Sequence, residues 1–155
     1  MKREMHHKER QMNASETRSL MDSAEIGILS VNGDDGYPYG VPVNCVYIND
    51  CIYFHCAQYG YKLDAIKANP KVCFTVILAA QILRNKFTAN FASVIATGKA
   101  TIVEDDAEKM MALKGLVSHI SPGFEDEGAA FIEKMYDRTA VVRIDVEEIT
   151  GKKKV

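Results

Sequence analysis

The stretch Cys51-Ile52-Tyr53-Phe54-His55-Cys56-Ala57-Gln58-Tyr59-Gly60-Tyr61-Lys62-Leu63-Asp64-Ala65-Ile66 changes character twice. Cys51 to Cys56 is rich in β-branched and aromatic residues and reads as a strand. Ala57-Gln58-Tyr59-Gly60 reads as a loop, with a glycine that permits a tight turn. Tyr61 to Ala68 places Leu63 and Ile66 at helical spacing and stops at Asn69-Pro70, a helix-end signal. A helix start exposes unpaired N–H groups and the positive end of the dipole. Lys62 stands in that first turn, so the segment reads as a site for a phosphate. It reads at least as simply as a plain strand–loop–helix link with a solvated lysine.

Upstream, Asn13-Ala14-Ser15-Glu16 has capping-box spacing, and the helix it opens runs to about Ser23. Glu25 to Val31 is a short β-branched run bounded by the turn Asn32-Gly33-Asp34-Asp35-Gly36. Tyr37 to Ile48 is extended, and Pro38 and Pro42 confine their positions to an edge, a bulge or a strand start. Asn49-Asp50 suits a tight hairpin turn into Cys51.

Downstream, Lys71 to Ala80 is nearly all apolar and predicts a strand buried on both faces. Residues 81–90 carry no clear pattern. Phe91 to Val103 is β-rich, with Gly98 as a bend or bulge. Asp105 caps a helix in which Met110, Leu113, Val117 and Ile120 share a face. A second helix, about Glu125 to Tyr136, buries Ala129, Ile132 and Tyr136, and Thr139 to Val146 is a last strand. The expectation is a mainly β fold with peripheral helices: six antiparallel strands in a small closed or split barrel.

The chain has 155 residues, 47% of them hydrophobic and 26% charged, which is ordinary globular composition. The division expected is an N-terminal tail over 1–12, one domain over 13–150 and a basic tail over 151–155. The net charge of −2 gives no basic excess and argues against a nucleic-acid partner. No apolar tract approaches the ~20 residues of a membrane span, and Met1 to Lys8 has no apolar signal core. A cytoplasmic chain without a membrane partner is expected. Cys45, Cys51, Cys56 and Cys73 then read as reduced thiols that behave as small hydrophobes.

Cys45, Cys51, His55 and Cys56 invite a zinc reading, but a period of two puts Cys51 and His55 on one strand face and Cys56 on the other. Adjacent strand residues do not converge on one tetrahedral ion, so no metal site is expected. The same geometry weakens a Cys56–His55 nucleophile pair. His119, at a helix end, reads as solvated. His55 reads either as a histidine bonded at a strand end or as a polar group aimed into a ligand pocket.

Four motifs stand in order: Asp35-Gly36-Tyr37-Pro38-Tyr39-Gly40-Val41-Pro42-Val43-Asn44, Ile52-Tyr53-Phe54-His55, Gly60-Tyr61-Lys62-Leu63-Asp64-Ala65-Ile66 and Asn69-Pro70-Lys71-Val72-Cys73-Phe74. Their succession, over about residues 13–152, resembles the pyridoxamine 5′-phosphate oxidase-like flavin-binding split barrels, nearest the nitroimidazole-resistance branch. Ser93-Val94, Gly98-Lys99-Ala100 and Ile149-Thr150-Gly151-Lys152 also look like that branch.

The resemblance implies a homodimer with FMN, or alternatively FAD, at the interface. It places Val43, Asn44 and Cys45 along the flavin ring, largely by backbone contact. His55 and Cys56 would end the strand beside the phosphate, and Tyr61, Lys62 and Leu63 would complete the phosphate site. Ser93 and Val94 would approach from a later strand, and His55 would be the catalytic residue. Cys56 stands where the family often has Ser or Thr, and Tyr61 where it often has Arg. The chain has no tryptophan and lacks the ending that true pyridoxamine phosphate oxidases use on their substrate.

The function expected is an FMN-dependent oxidoreductase that takes electrons from NADH or NADPH and reduces a small-molecule acceptor such as a nitroaromatic compound. The alternatives are a flavin- or haem-binding module without turnover, and a cysteine-based redox sensor. A barrel this small fills its interior with its own side chains, so the cofactor sits outside and a second copy closes the pocket.

Overall fold

A computed structural model describes residues 3–155. The Asn13 side chain accepts from the Glu16 N–H at 2.8 Å, and the Glu16 carboxylate accepts from the Asn13 N–H at 3.3 Å. That reciprocal cap opens helix α1, Ala14–Asp22. Strands β1 (Ile26–Asn32), β2 (Pro38–Asn44), β3 (Val46–Ile48) and β4 (Cys51–Ala57) follow. Helix α2 is Tyr61–Ala68. A long hairpin joins β5 (Lys71–Leu83) to β6 (Thr88–Ile102). Helices α3 (Asp106–Ile120) and α4 (Glu125–Met135) precede β7 (Thr139–Lys154). Among the described residues no helix is long and apolar enough to cross a membrane.

The strands form one antiparallel sheet in the order β2-β1-β5-β6-β7-β4-β3. Asn44 and Val46 are two residues apart in the chain, yet their strands stand at opposite ends of that order. A single residue, Cys45, spans the two ends, so the sheet must curl until its edges nearly meet. The Cys45 N–H donates to the Glu25 carbonyl at 3.0 Å, one step beyond the last β1–β2 pair, Ile26 with Asn44. The result is a curled seven-strand half-barrel, the expected split-barrel architecture. The count rises from six to seven because the extended run from Tyr37 to Ile48 breaks at Cys45. Pro38 and Pro42 lie on β2, an edge strand, where a missing donor costs no ladder bond.

Leu29, Phe54, Phe74, Val76, Val94 and Ile144 fill the barrel. A second cluster lies outside it, where α3 and α4 cover Tyr53, Val103 and Val141 with Leu113, Leu116 and Ile132. Two expectations need correction. Strand β5 is buried on one face only: Val72, Phe74 and Val76 point inward, while Ile77 is 60% exposed. No element among the described residues covers the outer face there, so its apolar run does not signal two covered faces. Residues 81–90, which carry no clear pattern in the sequence, belong to the sheet. They complete the β5–β6 hairpin around a turn at Arg84–Lys86, with Phe87 in the left-handed region at φ 51°.

The second correction concerns the termini. Gly151 to Lys154 are the end of β7, paired with Phe91 to Val94, and not a tail. Backbone bonds to a long neighbour carry this segment, so its lysines need no apolar pattern. The Met12 N–H donates to the Gly151 carbonyl at 2.9 Å, and Gln11 bridges Lys152, so the N-terminal segment is docked on the same strand. Residues 1–2 of the expected N-terminal tail lie outside the described residues.

Candidate functional site

Strand β4 sorts its side chains by period two. Ile52 and Phe54 point into the barrel and Cys56 packs against that core. Cys51 and Tyr53 pack on the other face, under α3 and α4. His55 lies on that outer face, at the exposed end of the strand. Its imidazole lines an open pocket of about 180 Å³ between β4 and the two helices, together with Asn44 and Thr139. The surrounding helices take water from the ring and lower its pKa below the ordinary 6.5, favouring neutral imidazole.

Cys56 faces away from His55. Burial pushes its thiol up, and the Lys62 ammonium offsets part of that shift. Cys45 is fully buried, its Sγ 3.6 Å from the Ala24 carbonyl, and its thiol is pushed up to about 12. Neither is poised as a thiolate nucleophile.

Gly60 opens α2 at φ 140°, a backbone state that L side chains rarely adopt. Its carbonyl accepts from the Leu63 and Asp64 N–H groups at 3.0 and 3.2 Å. The Tyr61 and Lys62 N–H groups are left at the open end of the helix. Among the described residues Lys62 makes no ion pair. One free cation and two backbone donors therefore stand at the end of β4, a combination that suits an anion. On the far side of Tyr61, a cleft lined by Asp34 and Asp64 repels one.

The other expected contacts divide. The Tyr61 hydroxyl donates to Asp34 Oδ1 at 2.9 Å and accepts from the Asp34 N–H at 3.0 Å, so it props the turn after β1. Leu63 is a buried anchor of α2, and its N–H is spent on Gly60. Val94 is buried in the barrel core. Val43 packs against the same core, and of Val43, Asn44 and Cys45 only Asn44 presents an exposed side chain, which donates to the Glu25 carbonyl at 3.4 Å. Strand β2 keeps one edge unpaired, so alternate backbone groups along it are open to a ligand.

Ser93 lies in a different region. It pairs with Ile77 and Lys152 on β6, three strands from β2 in the sheet order and so about 14 Å away along the curve. Ser93 lines a separate cavity of about 710 Å³ beneath the N-terminal segment, with Arg3, Lys8 and Lys152.

Some contacts escaped the sequence. His119 is not a solvated end residue: its Nε2 lies 2.7 Å from the Ala24 carbonyl and ties α3 to the start of β1. Phe131 and Met135 wall the His55 pocket from α4. Their i,i+4 spacing is a face that the Ala129–Ile132–Tyr136 reading passed over.

The family model described as pyridoxamine 5′-phosphate oxidase matches residues 13–153. The chain belongs to that family. No curated protein matches it. Among solved structures it is similar to a candidate 5-nitroimidazole antibiotic resistance protein from Bacteroides thetaiotaomicron, at 23% identity and TM-score 0.73, over 97% of this chain and 95% of that one. A flavocytochrome from Azotobacter vinelandii aligns at 21% identity and TM-score 0.83, over 98% and 72%. A FAD binding protein from Mycobacterium smegmatis aligns at 21% identity and TM-score 0.65, over 94% and 99%. At these identities the likeness establishes the shared fold.

Proposed function

We propose that this protein binds a flavin, FMN in preference to FAD, on the outside of its barrel. It would serve as an oxidoreductase that moves electrons from NADH or NADPH to a small acceptor of the nitroaromatic kind. The observation that carries the reading is the Lys62 cation, which makes no ion pair among the described residues, beside the open N-terminus of α2. A flavocytochrome and several FAD-binding proteins among the structural relatives support it. A bound flavin would supply hydride acceptance and release. Lys62 and the first N–H groups of α2 would hold its phosphate. Asn44 and the free edge of β2 would lie along the ring, and neutral His55 would offer a hydrogen bond beside it. The Tyr61 hydroxyl is engaged by Asp34 and burial keeps the Cys56 thiol neutral, so Lys62 would carry most of the charge recognition.

The reading includes a homodimer. Ile26 (59% exposed), Ile28, Ile77 and Ile95 (48% exposed) stand on the outer faces of three adjacent strands, β1, β5 and β6. A second copy seated on that face would cover them and bring its own Ser93 within reach of the first copy's ring.

The test is flavin titration of flavin-free protein. Lys62→Ala should lose a charged hydrogen bond of about 1.5–3 kcal/mol, or roughly 10- to 100-fold in affinity, with the fold intact by circular dichroism. Unchanged affinity would remove Lys62 from the site.

A further inference from the structure

The pocket at His55 is walled by Leu113, Leu116, Val117 and Ile120 from α3 and by Phe131 and Met135 from α4. Its polar groups are Asn44, His55, Ser121 and Thr139, and none is a fixed charge. Lys114, Glu133 and Lys134 lie on the same helices but are exposed and do not line it. The volume is about 180 Å³, and an apolar cavity of roughly 150 Å³ holds one benzene ring.

We infer that this pocket takes an uncharged, single-ring compound whose polar substituent hydrogen-bonds at the His55 and Asn44 end, and that it rejects rings bearing a phosphate or carboxylate. This rests on the reading of His55 as part of the reaction site. An ionised group carried among α3 and α4 would lose its water and meet no Arg or Lys. Desolvation keeps the imidazole itself toward the neutral form, so it supplies a donor or acceptor and not a counter-charge. The phosphate-binding features lie instead at Lys62, at the start of another helix. The walls thus set this chain apart from an enzyme whose substrate ring carries a phosphate.

Benzamide and benzoate test the inference, because they are nearly the same shape and differ in charge. Binding to the intact protein is followed through the His55 imidazole signals in NMR. Benzamide should shift them saturably, and benzoate should bind about tenfold or more weakly. Phe131→Arg changes a side chain that is 63% exposed and places a cation at the rim, so it should move the preference toward benzoate. Equal binding of the two rings, an unchanged ratio in Phe131→Arg, or His55 signals that neither ring moves would overturn the inference. A colourless protein that binds benzamide at His55 would remove the flavin reading and leave this one standing. A yellow protein with an unmoved His55 would do the reverse.

Discussion

His55 and Cys56 are neighbours in the chain and opposites in environment, because a strand turns each successive side chain to the other face. That much was legible in the sequence. The pairing of the Tyr61 hydroxyl with Asp34 was not, because the partner lies 27 residues away and no local pattern reports it. Tyr61→Phe should therefore lower the melting temperature and leave flavin affinity unchanged, the opposite of Lys62→Ala. Calorimetry and flavin titration on one preparation check both.

For His55 the sign follows from burial. The folded pKa lies below the ordinary 6.5, so below 6.5 the unfolded chain takes the proton first. Stability falls as pH drops from 6.5 through the folded value, and above 6.5 the effect vanishes. Urea unfolding at about pH 7.5 and about pH 5.5 should show a loss that is smaller in His55→Gln. An NMR titration midpoint at or above 6.5 would contradict the pocket environment described here.

At the level of elements, the α3–α4 pair decides the shape of the pocket. Gly128 lets the helices approach: a Cβ there would sit 2.3 Å from Cγ1 of Val117, itself a pocket wall. Gly128→Ala gains about 1 kcal/mol of helix propensity. Overpacking a close contact costs about 1–3 kcal/mol and is the larger effect. The variant should be less stable to urea and should bind ring compounds at His55 more weakly. Greater stability with unchanged binding would mean that the two helices slide freely.

The caps at Asn13 and Asp105 and the end of α2 at Asn69-Pro70 were legible because capping is a local contest for backbone donors. The break at Cys45 and the full length of β7 were not. Both depend on which strand lies alongside, and that is fixed by the curl of the whole sheet.

Across the whole molecule, the antiparallel barrel followed from hairpin-length links and period-two runs. The uncovered outer face did not, since an apolar β5 looks the same whether a helix, a second copy or water lies over it. A second copy is the occupant that the flavin reading requires. Sedimentation equilibrium should show a dimer for the native chain and a monomer for Ile95→Lys, with flavin lost in parallel. A native monomer that retains flavin would remove the interface from the account.

The absorption spectrum of the protein purified under native conditions decides whether a flavin is bound. A bound flavin predicts the two visible bands of an oxidised isoalloxazine, FMN released on denaturation, and a melting temperature that rises when FMN is added. A colourless protein whose melting temperature ignores FMN and FAD, or a haem band in place of the flavin bands, would contradict it.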